Sequence, residues 1–397
     1  MTRVAIYTDN DFEKVNGVTT TLKAVLRCTP PDIDARLYTM SDDDVTTPTY
    51  VSSRSIGIGL PRYPQMKIYW PRLGPLSRAL SRDSADVVHL TTPGPVGLAG
   101  RWLASRYRRP MVGSFHTNLG DYACALGGGS AFGRGAGRLL DDYMRWLYGG
   151  CSRVLVPSTG TRQALIELGY DPQRLSVWSR GVDAEVFSPD RRSAALRRSW
   201  GVDNETPVLL YVGRLSREKG LHRLIDVSRA LVGRGLKHQL VIAGDGPLLC
   251  ELSARLPSAI FCGEVTHQQV GAVMASADVF VFPSDTDTFG NVVLEAQACG
   301  LPAVVSALGG PKEAISDDVT GFVVPAGREE LWTTKVAALL QHADLRRAFA
   351  EEARRRAASR DWRQTLAPLY QEWRDAAARA RATQHVGMPA IAPATRL

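Results

Sequence analysis

Ser284-Asp285-Thr286-Asp287-Thr288-Phe289-Gly290-Asn291-Val292-Val293-Leu294-Glu295-Ala296 is a polar, glycine-containing loop that runs into an apolar helix. Before it, Asp278-Val279-Phe280-Val281-Phe282-Pro283 is a continuous apolar run of buried-strand length. After it, Val292–Ala298 has a helical pattern stopped by Gly300 and Pro302. The loop therefore joins the carboxyl end of a strand to a helix amino terminus, which is where open parallel sheets bind ligands. Main-chain N–H groups near Phe289, Gly290 and Asn291 would face the crevice, backed by the positive end of the helix dipole. Asp287 and Glu295 flank them, and carboxylates beside free N–H groups suit a ligand rich in hydroxyls, such as a sugar nucleotide. The same spacing equally fits plain capping, with Asp287 or Thr288 closing the helix start and Glu295 solvated.

Strand and helix patterns alternate on both sides of this loop. Upstream, strands are expected over Arg3–Thr8, Asp86–Leu90, Met111–Phe115, Arg153–Val156 and Leu175–Trp178. Helices are expected over Thr19–Arg27 (capped by Thr19, Thr20 or Thr21), Pro95–Tyr107, Arg134–Tyr148 and Ser158–Leu168. A second series holds strands Val208–Val212, Gln239–Ala243, Ile260–Cys262, Val279–Phe282, Ala303–Ser306 and Gly321–Val324. Its helices are Leu221–Val232, Leu248–Arg255, Gln268–Ala275, Glu329–Gln341 and Leu345–Ser359. Such alternation predicts α/β architecture with doubly wound parallel sheets, and 397 residues exceed one comfortable core. The polar, turn-rich residues 180–207 read as the linker, giving domains over 1–180 and 181–361. Trp362–Ala378 carries Leu366, Leu369, Tyr370 and Trp373 at helical spacing and reads as one more amphipathic helix. Gln384–Leu397 reads as a disordered tail. Residues 41–78, punctuated by glycine and proline and carrying Tyr63, Tyr69 and Trp70, look least regular: an acceptor wall beside the crevice, or a long structured loop.

Composition narrows the function. Hydrophobic residues make up 44% and charged residues 22%, as in an ordinary globular protein. No apolar run is long enough to span a bilayer, and Asp9 and Asp11 break the first apolar stretch too early for a signal peptide. The six cysteines lack metal-type or CxxC spacing and read as reduced cytosolic thiols. Net charge is +8, with seven lysines against 41 arginines, so the chain favours an anionic partner while any single arginine means little.

Five loops at strand ends or the linker form the candidate site: Asn16-Gly17, Phe115-His116-Thr117-Asn118, Arg180-Gly181-Val182-Asp183, Gly213-Arg214-Leu215-Ser216-Arg217-Glu218-Lys219-Gly220, and the loop quoted above. Two facing sheets would bring them to one cleft. Gly17 lets a phosphate approach the backbone, or simply makes a tight turn. Arg214 and Lys219 on a glycine-bounded loop at a helix start suit a diphosphate, or a solvated charged loop. His116 at a strand end suits a sugar hydroxyl or leaving phosphate, or a structural role. No GxGxxG follows a strand and no GxxxxGK[ST] occurs, which demotes nicotinamide chemistry and P-loop hydrolysis. Histidines and carboxylates lack metal spacing, so no metal or other cofactor is expected.

These residues carry a resemblance to a known family. The carboxylate Asp287, then Phe289-Gly290, then Leu294-Glu295-Ala296 and Cys299-Gly300-Leu301-Pro302, together with Gly213-Arg214 and Lys219-Gly220, resemble retaining glycosyltransferases of family 4 with the GT-B fold. The likeness extends over residues 3–378. The family usually has glutamate where this chain has Asp287, one methylene shorter. The resemblance implies two Rossmann-like domains facing a cleft, with helix 362–378 crossing back to the first domain. It implies that Arg214 and Lys219 hold the donor diphosphate, that Glu295 binds ribose hydroxyls, and that Asp287 with the backbone of Phe289, Gly290 and Asn291 orients the donor sugar. Asn16 and Gly17 would meet the diphosphate, His116 the sugar near its reacting carbon, and the loop at Glu264-Val265 the base. Family chemistry retains anomeric configuration by same-face attack, with the leaving phosphate taking the acceptor proton, so no glycosidase-like carboxylate pair is needed.

Asn16-Gly17-Val18-Thr19-Thr20-Thr21, Phe115-His116-Thr117 and Thr288-Phe289-Gly290-Asn291-Val292-Val293-Leu294-Glu295 look most like mannosyltransferases using GDP-mannose, with a lipid or glycan acceptor. Glycolipid synthases using a UDP-sugar, such as sulfoquinovosyl-diacylglycerol synthases, are the alternative. A sugar-nucleotide 2-epimerase or a non-catalytic sugar-nucleotide binder is more distant, and no nucleic-acid motif is present. The basic, aromatic stretch Arg101–Arg109, with Arg72, Arg78 and Arg82, reads either as a solvated face or as peripheral contact with an anionic membrane. The expected location is cytoplasmic, at the inner membrane face where such contact exists.

Overall fold

The computed structural model describes residues 1–13, 16–60, 63–126 and 130–386. Two parallel sheets organise it. The first has the order Leu175–Val177, Arg153–Val156, Met111–Ser114, Val87–Leu90, Thr2–Tyr7, Ile33–Ser41, Tyr50–Arg54, Val45–Thr46, antiparallel only at its last pair. The second has the order Ile260–Gly263, Gln239–Ala243, Val208–Val212, Val279–Phe282, Ala303–Ser306, Gly321–Val324, parallel throughout. Helices cover both faces, so the central strands are buried on both sides and read as unbroken apolar runs.

Sequence patterns and structure differ in several places. Ile33–Ser41, where no element was expected, is a nine-residue strand beside the first. Residues 41–78 form regular structure: three sheet strands or strand ends, a separate ribbon of Gly57–Leu60 with Tyr63–Tyr69, and the helix Leu73–Ser81. Gly57, Gly59 and Pro64 fall in the two-stranded ribbon, where ladder bonds are needed on one side only, and Gly74 and Pro75 in the first turn of the helix, where N–H groups have no intrahelical partner. The first helix begins at Gly17, and its cap is Asn16, not a threonine. The Asn16 side chain accepts from the N–H groups of Val18 and Thr19, and the Thr19 hydroxyl accepts from the Asn16 N–H. A further helix, Leu119–Leu126, follows the His116 loop.

The last helix runs over Trp362–Val386, so residues 384–386 of the expected tail are helical, and 387–397 lie outside the described residues. Its Trp362, Leu366, Leu369, Tyr370 and Trp373 are buried with Val4, Ile6 and Leu22 in the first domain's core. The chain crosses between domains where Val182 pairs with Asp361 and the Val182 N–H donates to the Arg360 carbonyl at 2.9 Å. All six cysteines are free, Cys299 among them as a buried packing residue. No helix among the described residues is long and apolar enough to cross a membrane.

Candidate active site

In the second sheet the chain winds to one side from Val208–Val212 and to the other from Val279–Phe282. The crevice outside the carboxyl ends of these neighbours is the topological switch point. The loops that leave it are residues 213–220 and 283–290, which carry Arg214, Lys219 and Asp287. Gly290 takes a left-handed conformation (φ 76°) and starts the helix Asn291–Ala298 with no side-chain cap. The capping alternative for this loop is thereby set aside. Asp287 instead accepts from Lys219 Nζ at 2.8 Å on each carboxylate oxygen, and the Thr288 hydroxyl donates to the His116 carbonyl at 2.8 Å.

The two loops are built rigidly. Asp285 accepts from the Ser306 hydroxyl at 2.5 Å and from Arg223 Nη1 at 2.8 Å. Gly310 N–H donates to the Asp287 carbonyl at 2.7 Å. Backbone presses on backbone at Gly220, where a Cβ would meet the Pro283 oxygen at 2.4 Å. The Gly244–Pro247 turn is part of this floor: a Cβ at Gly244 would meet the Gly213 oxygen at 2.0 Å. Tyr211 stacks on Phe282 and donates to the Arg214 carbonyl at 2.9 Å, and Lys219 Nζ lies 5.8 Å from the centre of the Phe282 ring. Arg214 is half-buried beside them.

Glu295 sits on the inner part of the helix, half-buried, with no hydrogen bond to its carboxylate among the described residues. Burial pushes that carboxyl up to about 7. The Phe289 side chain is core, so only its main chain faces the crevice. Val265 is half-buried against the second domain's core, on the loop after the edge strand Ile260–Gly263, two strands from Val208–Val212.

The first domain supplies the opposite wall. Asn291 Nδ2 donates to the Gly17 carbonyl at 3.3 Å and to the Thr21 hydroxyl at 3.4 Å, so Gly17 and the second domain's helix start face each other directly. Asn16 is engaged in capping through its side chain, as described. A Cβ at Gly17 would lie an ordinary 3.8 Å from Asn291 Nδ2, so packing among the described residues does not demand glycine there. The carboxylate at this sheet's own switch point is Asp9. It accepts from the Thr92 hydroxyl at 2.6 Å and the Val96 N–H at 2.7 Å, which commits it to the start of helix Pro95–Arg106. Glu313 crosses the interface and accepts from the N–H groups of Thr159 and Gly160 at 2.9 and 2.7 Å, capping a first-domain helix from the second domain.

His116 is buried at the strand end, edge-on to Trp178 with ring centres 5.9 Å apart. Its Nδ1 lies 3.1 Å from Arg180 Nη2. Arg180 was read from sequence as part of a linker loop in the candidate site, with no role of its own; nothing local marks an arginine among 41 as a buried partner of a histidine 64 residues away. His89 is core, with Nε2 at 2.6 Å from the Ser114 hydroxyl.

Comparison with known proteins adds the chemistry class. The family profile "Glycosyltransferase Family 4" matches residues 15–186, and "Glycosyl transferases group 1" matches 193–356. A GDP-mannose-dependent alpha-mannosyltransferase of Mycobacterium tuberculosis is 32% identical over 378 residues, covering 91% of this chain and 93% of that protein. The chain belongs to the family 4 glycosyltransferases. The sulfoquinovosyl transferase SQD2 of Arabidopsis thaliana is also 32% identical, over 76% of this glycosyltransferase and 61% of that protein. Among solved structures, sucrose-phosphate synthase from Thermosynechococcus elongatus superposes with a TM-score of 0.76 at 18% identity, covering 96% of this chain and 100% of that one. Anabaena HepE, solved in complex with UDP-glucose, superposes at 0.72 and 19% identity, covering 97% and 100%. The enzyme has the GT-B fold, and it is a hexosyltransferase.

Proposed function

We propose that this glycosyltransferase moves mannose from GDP-mannose to a lipid or glycan acceptor with retention of anomeric configuration. The observation that carries the reading of the site is the uncapped helix start at Gly290–Asn291, flanked by the Lys219–Asp287 pair and facing Gly17 across the cleft. A diphosphate laid there meets main-chain N–H groups and the positive helix end. It would draw Lys219 from Asp287, and Arg214 is placed on the same loop to share the leaving group's charge. Asp287, released, becomes an acceptor for sugar hydroxyls beside the backbone of Phe289 and Gly290. Gly17, not required by packing among the described residues, allows the phosphate to approach the first domain. Glu295 takes the ribose hydroxyls and the Val265 loop the base. With no paired acid and base, catalysis rests on fixed positive charge at the departing diphosphate, which receives the acceptor proton on the same face. No metal or other cofactor takes part in this scheme.

The names of the relatives support GDP-mannose first; the likeness to SQD2 supports a UDP-sugar-dependent glycolipid synthase as the second reading. A thermal-shift and donor-hydrolysis panel of GDP-, UDP- and ADP-sugars tests both. GDP-mannose is expected to raise the melting temperature and to be slowly hydrolysed. A UDP-sugar doing so instead moves the assignment to the second reading, and no response to any donor overturns both. Exposed Trp102 and Arg106 on helix Pro95–Arg106, with Arg108 just beyond, support peripheral contact with an anionic bilayer, which would hold the enzyme at the inner face beside a lipid acceptor.

The Glu295 role has a pH signature. The carboxyl titrates at about 7, and only the ionised form accepts from both ribose hydroxyls. Because burial raises this acid's value, donor affinity is lost as pH falls through about 7 and is full above it. Below that point the donor KM should rise by about tenfold per pH unit, and Glu295→Gln should flatten the profile at a uniformly high KM. A donor KM in the wild type that is flat between pH 6 and 8 contradicts the assignment.

A further inference from the structure

We propose that Arg180 is a positioning residue that locks His116 as the neutral imidazole with its proton on Nε2. The histidine then serves the transfer as a hydrogen-bond donor to a hydroxyl of the donor sugar, and not as a base. This rests on the sugar-transfer reading given above.

The guanidinium has five N–H groups and no acceptor. At 3.1 Å from Arg180 Nη2, His116 Nδ1 must therefore be the bare, accepting nitrogen, and the ring proton sits on Nε2. That Nε2 is buried and has no hydrogen-bond partner among the described residues. Buried donors usually have a partner, and under this proposal a hydroxyl of the donor sugar supplies it. The ring is held on its other sides as well. Trp178 stands edge-on to it, and the Arg180 guanidinium lies 4.5 Å over the Trp178 ring while donating to the Trp178 carbonyl at 3.2 Å. A ring flip that exchanged the two nitrogens would break the Arg180 contact. The Thr288 hydroxyl donates to the His116 carbonyl from the donor loop, so the His116 main chain is tied to the loop that carries Asp287.

The electrostatics run opposite to a catalytic histidine paired with a carboxylate. Arg180 is itself buried, and no carboxylate lies within ion-pair distance of it among the described residues. Burial, the Arg180 charge and the neighbouring His89 all hold His116 well below the ordinary histidine range. Burial likewise lowers Arg180 itself, to about 9, which leaves it charged at neutral pH. A neutral ring with a bound Nδ1 cannot take a proton at Nε2. Arg180 also sits at the crossing between domains, beside Ser179, whose hydroxyl accepts from Arg360 Nη1 at 2.9 Å. The lock thus lies where the chain leaves the first domain.

The test is ¹⁵N NMR of the histidine rings in the full chain, with steady-state kinetics on the same proteins. The wild type should show His116 protonated at Nε2 and bare at Nδ1 from about pH 5 to 8. Arg180→Met should show mixed tautomers and a kcat lowered about 10- to 100-fold, with the donor thermal shift retained. Arg180→Lys, which still donates to Nδ1, should restore a single tautomer and part of kcat. A proton found on Nδ1, a cationic ring at neutral pH, or an Arg180→Met enzyme with unchanged tautomer and kcat overturns the proposal. The wild-type spectrum decides the tautomer even if Arg180→Met does not fold. The donor thermal shift separates failure of the lock from failure of the sugar-nucleotide reading, because the contacts proposed for the diphosphate, ribose and base do not involve His116.

Discussion

Lys219→Ala is expected to lower kcat about a thousandfold while leaving the fold intact. Lys219 makes one side-chain contact that matters for the folded state, the pair with Asp287 at 2.8 Å, and both side chains keep about a fifth of their surface exposed. Such a pair contributes at most about 1 kcal/mol, so the melting temperature should change little. The catalytic loss has two parts. The departing diphosphate loses a fixed cation, and Asp287 is left as an unneutralised carboxylate close to two phosphates. The second part separates from the first in a double-mutant cycle. Lys219→Ala with Asp287→Asn should be less impaired in donor binding than Lys219→Ala alone, because the repulsion is gone. Arg214→Ala added to Lys219→Ala should abolish turnover. Initial rates at saturating donor, with circular dichroism of each variant, check this; near-normal turnover of Lys219→Ala rules out its role at the leaving group.

Gly310→Ala should damage stability and chemistry together. A Cβ at Gly310 would sit 2.0 Å from the Thr288 carbonyl oxygen and 2.7 Å from the Phe289 Cα. These are main-chain atoms of the donor loop, which cannot swing aside as a side chain does. The same residue's N–H holds the Asp287 carbonyl at 2.7 Å. The loop must therefore move bodily, and the overpacking costs about 3 kcal/mol. A displacement on the order of 1 Å in the group that orients the donor costs about a hundredfold in rate. The measurements are a denaturant melt and kcat/KM with the donor. Gly135→Ala is the control: its Cβ would meet nothing within 4 Å on an exposed helix, and it should be tolerated. If Gly310→Ala behaves like Gly135→Ala, the loop is not held as described.

Much of the fold was legible because its signals are local. Val208–Val212, Gln239–Ala243, Val279–Phe282, Ala303–Ser306 and Gly321–Val324 are short apolar runs between turn residues, and the strands have those same bounds. Parallel strands covered on both faces need apolar side chains at every position, so the pattern has no gaps. Ile33–Ser41 escaped because Asp34 and Arg36 interrupt it, and the edge ribbon escaped because its glycines and prolines look like loop. The site loops were legible for the same reason as the central strands: each follows a strand end and precedes a helix start.

The doubly wound architecture, the switch-point loops and the family can be read along the chain, since these follow from periods of two and 3.6 residues and from contiguous motifs. What the site's groups are doing depends on how the chain folds. Asp287 is paired with a lysine 68 residues away, His116 with an arginine 64 residues away, and Glu295 is an acid titrating at about 7. Charge state and hydrogen-bond role depend on desolvation and on distant partners, and neither is written in the residues next door.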